Sequence, residues 1–338
     1  MKTYAGIDLH SSNNYIGVID AKDNRLYSKR HHNLMPDILK VLGKFKATLQ
    51  GVVVESTYNW YWLVDGLMDH GYRVHLANPS AIKTYEGLKH TDDKWDSFWL
   101  AHLLRLGILP QGYIYPKEQR PIRDLLRRRQ LYVRHKTSHI LSLQSMITRN
   151  RGLNFDGSQI QRFRDDFVKK MFDCAYLVFT AQNQLATIRF LDRQIKEIEA
   201  VVRPQIQLKP EFEKLVTIPG IGDILGLTIM SEVGDIKRFA KVGHYSSYCR
   251  CVSSKKISNG KKKGENNKKN GNRYLGWAYV EAANFCKRHC PGARRFYQRK
   301  LAKTNKIVAI KALSNKLAKA SYYIIRDQVQ FDANKLFG

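Results

Sequence analysis

A short apolar run that closes on an acid, Tyr4-Ala5-Gly6-Ile7-Asp8, sets the strongest limit on how this chain can fold. Residues of this kind in so short a run form a buried strand. The carboxylate then sits at the edge of a core, where losing water is costly without a partner. A second run, Gly51-Val52-Val53-Val54-Glu55, is apolar throughout and also ends on an acid. A strand without alternation is covered on both faces, as in a parallel sheet flanked by helices. Two such strands side by side aim both acids at one point. A metal shared with later acids would neutralise them.

The surrounding order reads β-β-β-α-β-α-β. Strands are predicted at 3–8, 14–20 and 25–30, with Asp20-Ala21-Lys22-Asp23-Asn24 as a hairpin turn. Ile38, Leu39, Leu42 and Phe45 recur at helical spacing and predict a helix over 36–46. A helix over 59–70, a strand over 72–76 and a short helix opened by Pro79 follow. Asp92, Asp93 and Asp96 then head a helix through Trp99, Leu100, Leu103 and Leu104. Asp93 and Asp96 are three apart and share a face. Asp92 points elsewhere and suits an N-cap. Asp8, Glu55, Asp93 and Asp96 make an oxygen-rich set that suits Mg²⁺ or Mn²⁺ rather than zinc. Two such ions about 4 Å apart can stabilise both the attacking and the leaving oxygen at a phosphorus. Singly, each acid also suits a strand-end turn or a cap.

Charge narrows the partner. Lys and Arg number 58 against 29 acids in 338 residues, a net charge of +29. That excess points to a polyanion, with nucleic acid ahead of an anionic membrane surface. No apolar run reaches ~18 residues and no signal peptide opens the chain, so a soluble cytosolic protein is expected. The five cysteines form no disulfide framework. Cys249-x-Cys251 and Cys286-x-x-x-Cys290, with His289, depart from the usual zinc spacings and read as reduced structural thiols.

Three segments are expected: an acidic-site domain over 1–115, long basic helices with a coiled coil over 116–210, and a mainly helical domain over 211–338. From Lys117 to Arg151 there are ten Lys and Arg and two acids, densest at Arg127-Arg128-Arg129. The basic flank of this helix suits a phosphate backbone; a solvated helix face is the plain alternative. The segment 158–204 also reads as helical, with Ile188, Leu191, Ile195, Ile198 and Val202 as one seam. That seam fits packing between subunits or an antiparallel hairpin within the chain. Pro219-Gly220-Ile221-Gly222 fits a helix-hairpin-helix turn or a plain corner. Between Lys255 and Arg273 lie eight basic residues: Lys255, Lys256, Lys261, Lys262, Lys263, Lys268, Lys269 and Arg273. Interleaved Gly and Asn predict a flexible loop around them. A last basic stretch, Ala282 to Arg326, interleaves Phe285, Phe296, Tyr297, Tyr322 and Tyr323 and suits stacking on nucleic acid.

Gly6-Ile7-Asp8, Val54-Glu55-Ser56-Thr57 and His90-Thr91-Asp92-Asp93-Lys94-Trp95-Asp96, with Leu100-Ala101-His102-Leu103-Leu104-Arg105, resemble the DEDD transposases of one insertion-sequence group, described as bridge-RNA-guided recombinases. Ser97 stands where that family often has Ala. The resemblance implies an RNase H-like (RuvC-like) first domain, a bacterial cytoplasmic setting, donor and target DNA, a guide RNA and a homo-oligomer, dimer or tetramer. It also implies a nucleophilic serine in a loop before a Gly-Asn helix start, which Ser258 fits, counting back from Gly271-Asn272, with Ser254 and Ser253 as the next candidates. Asn259 replaces the usual Gly there. By resemblance, the acids of one subunit face the serine of another, and the reaction passes through a covalent phosphoserine. Two other functions suit the same residues: a metal-dependent junction resolvase using water, and a non-catalytic nucleic-acid-binding protein.

Overall fold

The structure, a computed structural model, describes residues 1–82, 92–204, 210–254, 256–265 and 270–338. Its contacts divide the chain into two compact units, Met1–Lys117 and Glu118–Gly338.

The first unit is built on a five-stranded sheet. Strands β1 (Thr3–Leu9), β2 (Asn13–Asp20) and β3 (Arg25–His32) form an antiparallel meander, and β4 (Leu49–Glu55) and β5 (Val74–Ala77) add in parallel on the other side of β1. The order across the sheet is β3-β2-β1-β4-β5. Helices α1 (Met35–Gly43) and α2 (Tyr61–Asp69) connect the parallel part. The expected β-β-β-α-β-α-β order is therefore present. The short helix expected from Pro79 is a turn as far as residue 82, and 83–91 lie outside the described residues.

Period-2 alternation sorts the two faces. Ala5, Ile7, Ile16, Val18, Val52 and Val54 pack with Ile38, Leu42, Leu63 and Leu67 of α1 and α2. The opposite face carries Gly6, Asp8, Gly17, Val53 and Glu55. Helix α3 (Asp93–Arg105) lies on it, burying Leu100 and Leu103 against Val53, and Phe98 and Ala101 against Ile19. The approach is very close. A Cβ on Gly6 would stand 2.0 Å from the Ser97 carbonyl oxygen, and one on Gly17 2.7 Å from Ser97 Oγ. Ser97 is itself fully buried and turns its hydroxyl back to the Lys94 carbonyl at 2.8 Å. Only small residues fit along this seam, and Ser97 is one of them.

The second unit opens with two long helices, α4 (Arg120–Arg151) and α7 (Ala175–Val202), with short helices α5 (Gly157–Arg162) and α6 (Asp165–Met171) between them. The segment expected to be helical over 158–204 is three helices. Asp156 and Gln159 form a capping box that starts α5, and Asp165 and Asp166 head α6. Cross-helix pairs run Arg129–Glu199, Lys136–Asp192 and Ser142–Gln184, and Arg151 meets Asp173 just before α7, so α4 and α7 are antiparallel within the chain. Leu185 and Ile188 pack with Ile140, Leu143 and Ile147. Leu141, the neighbour of Ile140 in sequence, is 59% exposed.

The base of that pair shares a core with the remaining helices: α8 (Pro210–Leu215), α9 (Asp223–Val233), α10 (Val242–Tyr248), α11 (Arg273–His289), α12 (Pro291–Leu301), α13 (Lys306–Asp327) and α14 (Ala333–Phe337). Gly220 (φ +97°) lies against α11; a Cβ there would meet the Ala282 carbonyl at 2.5 Å. Phe296 and Tyr322, expected to stack on nucleic acid, belong to this core, whereas Ile307 is exposed. The flexible loop expected after Ser253 contains a two-stranded hairpin, β6 (Lys256–Ser258) and β7 (Lys261–Gly264). Asn259 (φ +49°) and Gly260 (φ +71°) are its two turn residues. An Asn-Gly pair with both φ values positive is the turn whose twist matches a two-residue hairpin. Asn259 is thus the turn residue, which its place as a substitute for Gly had obscured.

Candidate metal centre and serine hairpin

Asp8 is 3% exposed and pairs in register with Tyr15 of β2. Ile7 pairs with Val54 on β4, so Glu55 stands beside Asp8 on the same face. The two carboxyls share a proton: Glu55 donates to Asp8 in a side-chain hydrogen bond. Burial raises the Glu55 carboxyl to about 7, and the hydrogen bond and charge of Asp8 add to the effect. Burial also raises Asp8, with His10 opposing.

The third and fourth acids come from the first turn of α3. Asp92 caps the helix, accepting from Trp95 N at 2.7 Å. Asp93 and Asp96 are thereby turned toward the ends of β1 and β4. Asp96 is raised first by burial and then by the charges of Glu55, Asp93 and Asp92. Asp8, Glu55, Asp93 and Asp96 thus feel one another's charge. Gly6 and Gly17 make this possible, since any larger residue would hold α3 off the sheet.

Two further residues enter the cluster. His10 Nε2 lies 3.1 Å from Asp8 Oδ2 and 3.3 Å from Asp93 Oδ1, and Arg30 Nη2 lies 2.6 Å from Asp93 Oδ2. His10 follows Asp8 by two residues, so strand alternation was the signal that could have found it. Arg30, across β2, gave no sequence signal. Crowded carboxylates whose ionisation is suppressed by one another fit a divalent cation, which would remove the like-charge cost. One ligand atom each from Asp8, His10 and Asp93 lies within 4.8 Å of the others.

Ser258 is the last residue of β6, exposed, immediately before the turn. Lys256, Lys261 and Lys263 around it are exposed. Lys255, Lys268, Lys269 and the Lys262 side chain lie outside the described residues. The feet of the segment are held firmly. Arg250 Nε donates to the Gly271 carbonyl at 3.0 Å, and Lys311 and Asn315 of α13 hold the Arg250 and Cys251 carbonyls. Asn272 caps α11 through Tyr274 N and Leu275 N and donates to buried Glu232 at 2.7 Å. Arg127 clasps that same Glu232 through two bonds of 2.6 and 2.7 Å, and Arg129 pairs with Glu199. Arg128 is the exposed member of the triplet, and Arg273 is exposed beside Tyr274. Cys249, Cys251, Cys286 and Cys290 are buried free thiols, and burial raises the Cys251 and Cys286 thiols to about 12. Among the described residues no cysteine joins a metal-ligating group. No described helix is long and apolar enough to cross a membrane.

Comparison with known proteins finds matches in two stretches of the chain. A family model named for the DEDD domain of IS110 elements and described as "Transposase" matches residues 5–150. A second, "Transposase IS116/IS110/IS902 family", matches residues 212–298. The chain is also similar to an "Insertion element IS110 uncharacterized 43.6 kDa protein" of Streptomyces coelicolor, 26% identical over 118 residues. That match covers 35% of this chain and 29% of the relative, so the chain spans less than a third of that relative's length. The first model takes in all four clustered acids and the second the serine hairpin, in order along one chain, so over both stretches the protein is similar to the IS110 family of insertion-sequence transposases.

Proposed function

We propose that the protein is a DNA recombinase that moves an insertion sequence, with Asp8, Glu55, Asp93 and Asp96 holding Mg²⁺ or Mn²⁺ and Ser258 as the nucleophile. The observation that carries this is the convergence of four acids on one end of a sheet, with the ionisation of Asp8, Glu55 and Asp96 suppressed by burial and by neighbouring acids. When bound, the ion supplies charge stabilisation at the oxygens of a reacting phosphodiester. The chain's own residues do the rest. Glu55 gives up the proton it shares with Asp8 as the cluster takes its charge-neutralising partner. Ser258 Oγ attacks phosphorus; one P–O ester bond forms and one breaks, the serine proton is lost to a base, and the departing oxygen leaves as a hydroxyl. The product is a phosphoserine that a second DNA hydroxyl resolves by the reverse exchange. Lys256, Lys261 and Lys263 neutralise the strand brought to the hairpin tip, and with Arg128 and Arg273 they position phosphates without reading bases.

By family resemblance the DNA partners are chosen by pairing to a guide RNA, and the active assembly is a homo-oligomer. The RuvC-like fold, the helix-hairpin-helix element at Pro219-Gly220-Ile221-Gly222 and the coiled-coil role of α4 and α7 belong to this same reading. Exposed Tyr176, Phe179 and Phe190 on α7 supply an outer apolar face that a second copy would cover. The test is a suicide DNA substrate incubated with protein and copurified RNA. A covalent protein–DNA adduct is expected, absent in Ser258→Ala and in Asp8→Asn. Full-rate cleavage by Ser258→Ala would replace the serine with water and leave a metal-dependent nuclease.

A further inference from the structure

We propose that His10 is itself a ligand of the divalent ion, so that the centre binds a first-row transition ion through mixed nitrogen and oxygen donors. This rests on the reading of the acid cluster as a metal centre and names a residue outside the four acids. Spacing is the first support. A divalent ion with ligands ~2.1 Å away keeps adjacent donors about 3 Å apart and opposite ones about 4.2 Å apart. His10 Nε2 stands 3.1 Å from Asp8 Oδ2 and 3.3 Å from Asp93 Oδ1, both spacings of adjacent ligands. Arg30 takes the other oxygen of Asp93, which leaves Oδ1 facing His10.

The second support is independent of the carboxylates. His10 is held by the backbone from several sides at once. Its carbonyl accepts from Asn33 Nδ2 at 3.0 Å and from Asn59 Nδ2 at 2.9 Å, and its N–H donates to the Asn13 carbonyl at 2.9 Å. Asn33 is in turn held by Asn14 Nδ2 at 3.0 Å. Residues from the ends of β2 and β3 and from the loop after β4 therefore fix the backbone that carries this imidazole at the end of β1. A surface histidine kept for solubility needs no such clamp, whereas a ligand must be held within a fraction of an ångström. A counter-charge for the acids would be served as well by a lysine. Imidazole nitrogen favours Mn²⁺ and its heavier neighbours over Mg²⁺.

The experiment uses the full chain loaded with Mn²⁺ and pulsed electron paramagnetic resonance. Nitrogen modulation from a directly bound imidazole is expected in the wild type. It should change to the ¹⁵N pattern in protein grown with ¹⁵N-histidine and vanish in His10→Ala. By titration, His10→Ala should bind Mn²⁺ at least about tenfold more weakly, with Mg²⁺ affinity changed less. Mn²⁺ bound to the wild type without nitrogen coupling overturns the histidine ligand and leaves the acid centre standing. A wild type that binds no Mn²⁺ at all overturns both. The labelled wild type answers without any variant, so folding of His10→Ala does not decide the matter.

Discussion

Burial, with Asp8 adding to it, holds the Glu55 carboxyl well above its ordinary range, and this makes a pH effect predictable. Its carboxyl is raised from an ordinary 4.5 to about 7. A group whose pKa is higher folded than unfolded stabilises the fold while protonated, and that contribution is lost as pH rises through the folded value. Metal-free protein should therefore lose stability between pH 4.5 and 7, and Glu55→Gln should lose less over the same range in urea titrations. A divalent ion should reverse the loss at neutral pH. At one hundred times its dissociation constant it adds about 2.7 kcal/mol, and Asp8→Asn should abolish that gain. Asp8 was readable as an acid at a strand end. That it shares a proton with Glu55 follows from the register of β1 on β4, which no residue states alone.

At the scale of elements, the seat of α3 is the controlling contact. Gly6→Ala places a methyl 2.0 Å from the Ser97 carbonyl oxygen. The helix must lift, at a cost of ~1–3 kcal/mol, and Asp93 and Asp96 move with it. The expected result is a lower urea midpoint together with weakened Mn²⁺ binding, whereas a change of Gly43, which meets nothing, should leave both unaltered. A second prediction concerns the base of the serine hairpin. Glu232 is 1% exposed and joins Arg127 of α4 to the Asn272 cap of α11. Glu232→Ala strands a guanidinium and frees the cap, which should cost at least about 3 kcal/mol by chemical denaturation. The basic run 127–129 looked like one uniform patch because periodicity reports which face a residue is on and not what it meets there. Two of its three arginines answer internal carboxylates.

Taken whole, the molecule divides its charge unevenly. Residues 118–338 hold 44 Lys and Arg against 18 acids, and residues 1–117 hold 14 against 11. Nucleic-acid affinity should therefore reside in the second unit and fall steeply with salt. If six or more phosphates are neutralised, a loss of roughly 10³-fold between 50 and 200 mM salt is expected in binding titrations. Much of this molecule was legible in one dimension. Strand order, the four acids, the Asp92 cap, the inner seam of α7 and the basic excess all follow from short-range pattern, because apolar period and charge are local properties. Three things were decided only when the chain closed on itself. The close seat of α3 on Gly6 and Gly17, the arrival of His10 and Arg30 among the acids, and the Glu232 bridge beneath the serine hairpin each join residues far apart in sequence or on neighbouring strands. Such contacts depend on register and on the distance between backbones, and those quantities exist only in three dimensions.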